Sequence, residues 1–230
     1  MYLTRISIDS QHRKGIQLLN SPYRMHAAIE ASFPSNAVRS DEKGRVLWRL
    51  DSPIGRSDCA WLYILSPDRP NCDSIIEQGG SPNACEPETK PYDDVLAMIK
   101  EGQRWQFRLK GNPVRKVAVD KGCKPQPGVC GTIRGHVTEA QQREWLLNRA
   151  ETHGFSLMPS SSGEVALTVS HRRKERFKRG DREVTLATAQ FDGVLEVTYA
   201  DAFKRTLGFG LGRAKGFGCG LLTIAPVKAV

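Results

Sequence analysis

A tyrosine and a histidine stand three positions apart near the start of the chain, within the segment SPYRMHAAIEASFP. Ser21 followed by Pro22 is typical of a helix start, so we expect a helix over residues 23–32. Tyr23 and His26 then share one helix face. Imidazole titrates near neutral pH, and a phenol can orient a ribose hydroxyl, so the pair suits acid–base chemistry on a phosphodiester. A purely structural histidine is the alternative.

No paired carboxylates with metal-ligand spacing accompany His26 in the sequence. Asp93 and Asp94 are adjacent at a predicted helix start, where helix capping is the better interpretation. None of the six cysteines forms a CxxC pair, which a zinc site usually needs. A two-metal nuclease is therefore disfavoured, and no cofactor is predicted.

A dense basic run, HRRKERFKRG (171–180), lies between two strand-like segments and predicts a hairpin whose tip is cationic. Its single acid, Glu175, cannot neutralise six cations, whereas a phosphate backbone could. Lys and Arg total 34 against 25 acidic residues, a formal charge of +9 that also favours a polyanionic partner. A solvated mobile loop is the alternative. The six cations are Arg172, Arg173, Lys174, Arg176, Lys178 and Arg179.

The segment GFGLGRAKGFGCG (208–220) combines glycines with Arg213 and Lys215. Glycine lets backbone N–H groups approach phosphate oxygens without a Cβ in the way. Neither a GxGxxG nor a GxxxxGK frame fits, so we expect a polynucleotide backbone here, not a mononucleotide. Phe209 and Phe217 could anchor the segment or stack on a base, which weakens the alternative of a flexible turn. The glycines that we predict to contact nucleic acid are Gly208, Gly210, Gly212, Gly216 and Gly218.

The first half of the chain has the element order of a ferredoxin-like domain, strand–helix–strand–strand–helix–strand. The predicted elements are strands at 2–9, 46–51, 61–66 and 104–119 (a strand pair), and helices at 23–32 and 93–101. Residues 67–91 are rich in Pro, Gly, Asn and Cys and are interpreted as irregular. We expect this domain to cover residues 1–119, with a Gly/Pro-rich linker at 120–137.

Residues 138–230 are also predicted to mix helices and strands. Residues 139–154 give the clearest helix of the chain, with Gly154 at its C-terminal end. Strands are expected at 164–170, 183–191 and 193–199, followed by a short helix at 201–207 and a last strand. The simplest fold class is therefore α+β, with two small domains in tandem.

Cysteine use and hydropathy indicate a cytoplasmic protein. No run of eighteen apolar residues occurs, so no membrane span is predicted. The opening residues alternate apolar and polar side chains like a strand and unlike a signal peptide. Reduced thiols are therefore expected, and a secreted disulfide-bonded protein is a distant alternative.

Four segments, in order, carry a resemblance to a known family. They are MYLTRISID with the following helix SPYRMHAAIEASFP, FRLKGNPV (107–114), EWLLNRAETHGFSL (144–157) and the glycine-rich GFGLGRAKGFGCGLLTI. Together they span nearly the whole chain. The sequence resembles the CasE family, the CRISPR repeat-processing endoribonucleases of the type I-E Cascade complex.

The resemblance implies two tandem ferredoxin-like (RRM-like) domains with antiparallel sheets and helices on one face. It implies binding of the CRISPR repeat RNA hairpin and one metal-independent cut at the 3′ base of the stem. The 2′-OH would attack its own 3′-phosphate, leaving a 2′,3′-cyclic phosphate and a 5′-OH. It further implies that the enzyme keeps the mature guide RNA, joins other Cascade subunits and is a monomer outside the complex.

By position, the resemblance assigns acid–base catalysis to His26 and an orienting or protonating role to Tyr23. The basic hairpin would enter the major groove at the end of the RNA stem, and residues 208–218 would hold the backbone near the cut. Arg24, Arg213 and Lys215 are the candidates for stabilising negative charge at the phosphate. Two alternatives stay open: a non-catalytic guide-RNA scaffold of the same superfamily, and a housekeeping protein that binds structured RNA by shape.

Overall fold

The computed structural model describes residues 1–52, 58–79, 86–117, 132–160 and 163–227. Its first half forms a four-stranded antiparallel sheet of order β2-β3-β1-β4. This is the ferredoxin-like strand order, as predicted. The elements are β1 (Tyr2–Asp9), α1 (Arg13–Leu19), α2 (Pro22–Ala31), β2 (Leu47–Asp51), β3 (Cys59–Ser66), α3 (Asp73–Gly79) and β4 (Glu88–Pro91).

The second half repeats that order in another antiparallel sheet, β11-β5-β10-β8, with β9 paired to β10 and a separate β6–β7 hairpin. The fold class predicted from the sequence is confirmed. The elements are α4 (Asp93–Met98), β5 (Arg104–Gly111), β6 (Val114–Val117), β7 (Thr132–Gly135), α5 (Glu139–Ala150), β8 (Phe155–Leu157), β9 (Leu167–Arg179), β10 (Arg182–Val197), α6 (Ala200–Phe209) and β11 (Leu222–Pro226).

Strand membership differs from the prediction around the boundary between the two sheets. β5, expected in the first domain, pairs with β10 and β11 and opens the second sheet. The first domain instead takes its second helix and fourth strand, α3 and β4, from the stretch 67–91 that we interpreted as irregular. The predicted linker, 120–137, lies largely outside the described residues, because 118–131 are not described.

A long hairpin of β9 and β10 projects from the second sheet. Residues 183–191 and 193–199 were predicted as two strands, but β10 is continuous because its pairing with β5 runs through Asp192 and Gly193. The β9–β10 register shifts between Thr188 and Gln190. His171, facing the shift, has a positive φ of 45°. Such a bulge turns the following side chains of β9 to new faces.

Each sheet packs its helices over an apolar core, and buried polar groups join the two sheets. The first core includes Ile6, Ile8, Met25, Ile29 and Leu62, and the second Trp145, Phe155, Phe191, Phe203 and Leu207. Arg49 of β2 is paired with Asp51 and donates to the carbonyls of Arg108 and Leu221 in the second sheet. In the described ranges, no helix is long and apolar enough to cross a membrane.

Candidate functional site

The helix α2 presents the predicted Tyr–His pair away from the core. The Ser21 hydroxyl accepts from the Arg24 amide at 3.3 Å and Pro22 occupies the first turn, so the sequence signals at this helix start are confirmed. Met25 and Ile29 are buried against the first sheet. Three residues correspond to about 60° of net rotation around a helix, so Tyr23 and His26 share a partly exposed face.

His26 lies against the glycine-rich segment. Its imidazole meets the ring of Phe217 edge-on, with centroids 6.3 Å apart, and its Nδ1 is 3.9 Å from the Glu30 carboxylate one helical turn later. At Gly216, an added Cβ would stand 3.7 Å from the imidazole Cε1, an ordinary van der Waals distance. The structure therefore brings His26 and the glycine-rich segment together.

Phe217 joins three elements at this point. Its ring also packs on Phe177 of β9, with centroids 4.9 Å apart. Helix α2 therefore meets both the glycine-rich segment and the basic hairpin around the ring of Phe217. Phe217 thus anchors the segment, one of the two roles that the sequence left open for it, whereas the Phe209 ring lies under the guanidinium of Arg205, 4.7 Å away.

The glycines of residues 208–220 divide into packed and accessible ones. Gly208, Gly210 and Gly218 are buried. Gly218 has a φ of +76°, and a Cβ there would come within 2.6 Å of the Trp48 ring. Close packing, of Gly208 on the backbone before β2 and of Gly210 and Gly218 on β2 side chains, is sufficient reason for these three glycines. Partly exposed Gly212 and Gly216 remain the predicted contacts to RNA.

The three candidate cations for the phosphate are not equivalent. Arg24 donates to Gln17 of α1 and sits two residues from His26, on the other side of α2, so the structure does not bring it to the imidazole. Arg213 is exposed. Burial, followed by nearby Arg45, lowers the pKa of Lys215, which has no carboxylate partner within the described ranges.

All six hairpin cations are exposed along β9, and not only at its tip. Glu175 turns inward, 2.9 Å from Lys110 of β5, and accepts from Thr188. Arg172 donates to the Gln142 amide oxygen in α5 and to the Val137 carbonyl just before that helix. The remaining five have no ion pair to a described carboxylate, so the hairpin presents unneutralised charge. These five are Arg173, Lys174, Arg176, Lys178 and Arg179.

A cleft of about 870 Å³ runs between the hairpin and the edge of the first sheet. Its acids are already paired: Asp51 with Arg49, Asp192 with Arg108, and Glu175 with Lys110. Arg173 and Phe177 line its hairpin side, and Pro22 of α2 lies at its wall. Among the described residues of the cleft, the charged side chains without a partner are consequently positive.

The described His, Cys, Asp and Glu side chains bear on metal binding and on cysteine reactivity. Within the described ranges, no cluster of three or more His, Cys, Asp or Glu side chains could hold a metal ion. Cys59, Cys72 and Cys219 are free and buried, while Cys85, Cys123 and Cys130 lie outside the described residues. Burial raises the pKa of the Cys72 thiol to about 11 and that of Cys219 to about 12, which favours unreactive thiols.

Two residues at the site were missed by the sequence analysis. Glu30 stands four positions after His26, a spacing that places both on one helix face and could have been used. Phe177 is the single apolar residue of the basic run. An apolar side chain in an otherwise charged strand indicates a contact with the protein interior. The partner of Phe177 in space, Phe217, was not predictable because the two are distant in sequence.

Comparison with known proteins now assigns the family. A family model described as CRISPR associated protein matches residues 1–226. The chain belongs to this family. CRISPR-associated endoribonuclease Cse3 of Thermus thermophilus is 30% identical over 236 residues, covering 98% of this chain and 100% of the relative. CRISPR system Cascade subunit CasE of Escherichia coli (strain K12) is 25% identical over 185 residues, covering 72% and 89%.

A solved structure of this CRISPR-associated family agrees over the whole fold. The structure of CRISPR endoribonuclease Cse3 bound to 19 nt RNA aligns with a TM-score of 0.78 at 25% identity, covering 98% of this chain and 100% of the other. The resemblance to the CasE family seen in the sequence is therefore confirmed, as is the tandem ferredoxin-like fold.

Proposed function

We propose that this protein is an endoribonuclease that binds the repeat stem-loop of precursor CRISPR RNA and cuts it once at the 3′ base of the stem. The single observation that carries the proposal is the meeting of His26, Phe217 and Phe177, which sets a titratable side chain beside the cationic hairpin. The family supports it, since the relative from Thermus thermophilus is named an endoribonuclease and a related structure holds RNA.

The chemistry that these residues suit is attack by a ribose 2′-OH on the neighbouring phosphate, without a metal. The products would be a 2′,3′-cyclic phosphate and a 5′-OH. His26 would transfer the proton, and Tyr23, 40% exposed on the same helix face, would orient or protonate the RNA. Rigid placement of the strand for in-line attack would contribute much of the rate.

The basic hairpin supplies the docking surface in this proposal. Five exposed cations without described carboxylate partners would neutralise phosphates and release counterions, which makes binding strongly salt-dependent. A hairpin fits the end of an RNA stem better than its middle, because an intact A-form major groove is too narrow for side-chain reading. The protein would keep the mature guide RNA and join the Cascade complex with it.

The proposal is tested by incubating purified protein with its own repeat hairpin in the presence of EDTA. One cut at the stem base is expected. It should be lost with His26→Ala and with a 2′-deoxy nucleotide just upstream of the cut. The matched control is His12→Ala, which removes an exposed histidine of the same domain and should leave cleavage unchanged.

Other outcomes of the same assay would replace the proposal. Tight binding of the hairpin without cutting would make the protein a guide-RNA scaffold and His26 a structural residue. Cleavage abolished by EDTA would overturn the metal-independent mechanism. Equal binding of unrelated hairpins would favour recognition of structured RNA by shape alone.

A further inference from the structure

A second cavity, of about 560 Å³, lies in the second domain beside Gly212 and Arg213 of the glycine-rich segment. It is lined by the β6–β7 hairpin, by α5 and by these two residues. Its volume lies in the range of small-ligand sites, roughly 300–1,000 Å³. The lining residues that matter are Asn112, Arg115, His136, Arg149, Gly212 and Arg213.

Two polar atoms in the walls of this cavity have no hydrogen-bond partner among the described residues. Asn112 is only 5% exposed, and its Oδ1 is unpaired. The Nδ1 of His136 is also buried and unpaired. Burying an unpaired acceptor costs free energy, so a ligand that supplies a donor to such an atom would be stabilised in the cavity. An N–H donor from a ligand in the cavity would satisfy Asn112.

The walls are also strongly cationic. Arg115, Lys116 and Arg213 have no ion pair to a described carboxylate, and Glu144 is the one acid among the lining residues. Burial lowers the pKa of Arg149. Burial, with Arg115 and Arg149 next, lowers the pKa of His136, so its neutral form is favoured. An anionic group would relieve this accumulation of positive charge.

The Arg149 guanidinium gives the cavity a planar stacking surface. The Arg149 guanidinium lies 4.7 Å over the Trp145 ring and donates to the Trp145 carbonyl, which fixes its plane. Guanidinium planes of this kind stack on unpaired RNA bases. The cavity therefore offers a stacking plane, cations for a phosphate and an acceptor for the edge of a base.

We propose that this cavity binds an unpaired nucleotide of the strand that flanks the RNA stem, an inference that rests on the proposed function. The phosphate lies between Arg115 and Arg213, the base stacks on Arg149, and its edge donates to Asn112 Oδ1. Gly212 in the cavity wall and Gly216 beside His26 are four residues apart, at most about 14 Å. The bound nucleotide is therefore a few positions from the cut.

The test measures RNA affinity by fluorescence anisotropy. Three RNAs, each with a 2′-deoxy nucleotide at the cut, are compared: the stem-loop alone, the stem-loop with its 5′ flank, and the stem-loop with its 3′ flank. One flank should tighten binding by about tenfold, the size of a single stacked base. Arg115→Ala should remove this gain and leave the affinity for the stem-loop alone unchanged. The charge-matched control, Lys100→Ala, removes an exposed cation beyond the opposite end of β5 and should keep the gain.

Replacing flanking nucleotides one at a time by abasic residues then locates the bound base. Loss of the gain at one position is expected. The inference is overturned if neither flank tightens binding, if Arg115→Ala weakens all three RNAs equally, or if no abasic position matters. Failure of the stem-loop alone to bind would instead overturn the proposed function, so the two failures are distinguishable.

Discussion

The imidazole of His26 and the phenyl ring of Phe217 meet edge-on, with their planes at 67° and their centroids 6.3 Å apart. Phe217 is in turn held by Phe177 at 4.9 Å. The imidazole of His26 therefore contacts the Phe217 ring, and its Nδ1 is also 3.9 Å from the Glu30 carboxylate. The position of His26 thus depends on packing from the second domain.

Phe217→Ala should slow cleavage by roughly ten- to a hundredfold at saturating RNA, because small displacements of a catalytic group have effects of this size. RNA affinity should change little, since the cations of the hairpin remain. Single-turnover cleavage and anisotropy measure the two effects separately. Phe209→Ala is the control, because that ring packs under Arg205 and not on His26. An unchanged rate for Phe217→Ala would mean that Phe217 does not position His26.

Two cations of the basic hairpin should behave differently when removed. Lys178 is exposed without a described ion pair, so Lys178→Ala should weaken RNA binding and reduce the salt slope by about one, with no loss of stability. Arg172 donates to the Val137 carbonyl at 2.7 Å, so Arg172→Ala should also lower the melting temperature. Affinity at several salt concentrations and thermal unfolding check both statements.

The control for this pair is Lys204→Ala on α6, which removes a cation of equal charge away from the hairpin. Its salt slope should match that of the unchanged protein. If all three variants lower the slope equally, binding reflects total charge and not the hairpin.

Local signals predicted the position of His26 and its helix well. Ser21 and Pro22 start α2 as capping chemistry requires, and the i, i+3 spacing was enough to place Tyr23 beside His26. The hairpin likewise followed from two apolar-alternating segments around a charged run. In each case the structure is determined by residues close together in the sequence.

Long-range pairing was the part that the sequence did not reveal. The strand character of β5 was evident, but its partners β10 and β11 lie more than seventy residues further along the chain. The pairing of Phe177 with Phe217 and the inward turn of Glu175 to Lys110 depend on the same distant contacts. Short α3 was hidden by its Pro- and Cys-rich surroundings.

Arg49→Met should destabilise the protein by about 3 kcal/mol, because it removes the nearer partner of the buried Asp51 carboxylate and leaves only the 3.5 Å contact with Arg108. Asp51 is 8% exposed, and Arg49 also satisfies carbonyls of Arg108 and Leu221 in the second sheet. Urea unfolding measures the change. The double variant Arg49→Met/Asp51→Leu should recover part of the loss. A double variant less stable than Arg49→Met would show that the buried pair is not the source of the effect.

His153 should make stability depend on pH between about pH 7 and pH 5. Burial, then Lys215 and Arg149, lower its pKa in the folded state, and its Nδ1 is 2.8 Å from the Thr206 hydroxyl. The unfolded chain, with a histidine pKa of about 6.5, then binds more protons than the folded protein in this window. Stability is therefore complete above the unfolded pKa and is lost as the pH falls towards the folded one.

The urea midpoint should accordingly drop from pH 7 to pH 5, and the drop should be smaller in His153→Gln. His12→Gln, at an exposed position, should keep the full drop. The pKa of His136 is also lowered, so part of the drop in the urea midpoint should remain in His153→Gln. Identical pH dependence in all three proteins would show that the half-buried imidazole of His153 is protonated as readily in the folded state as in the unfolded one.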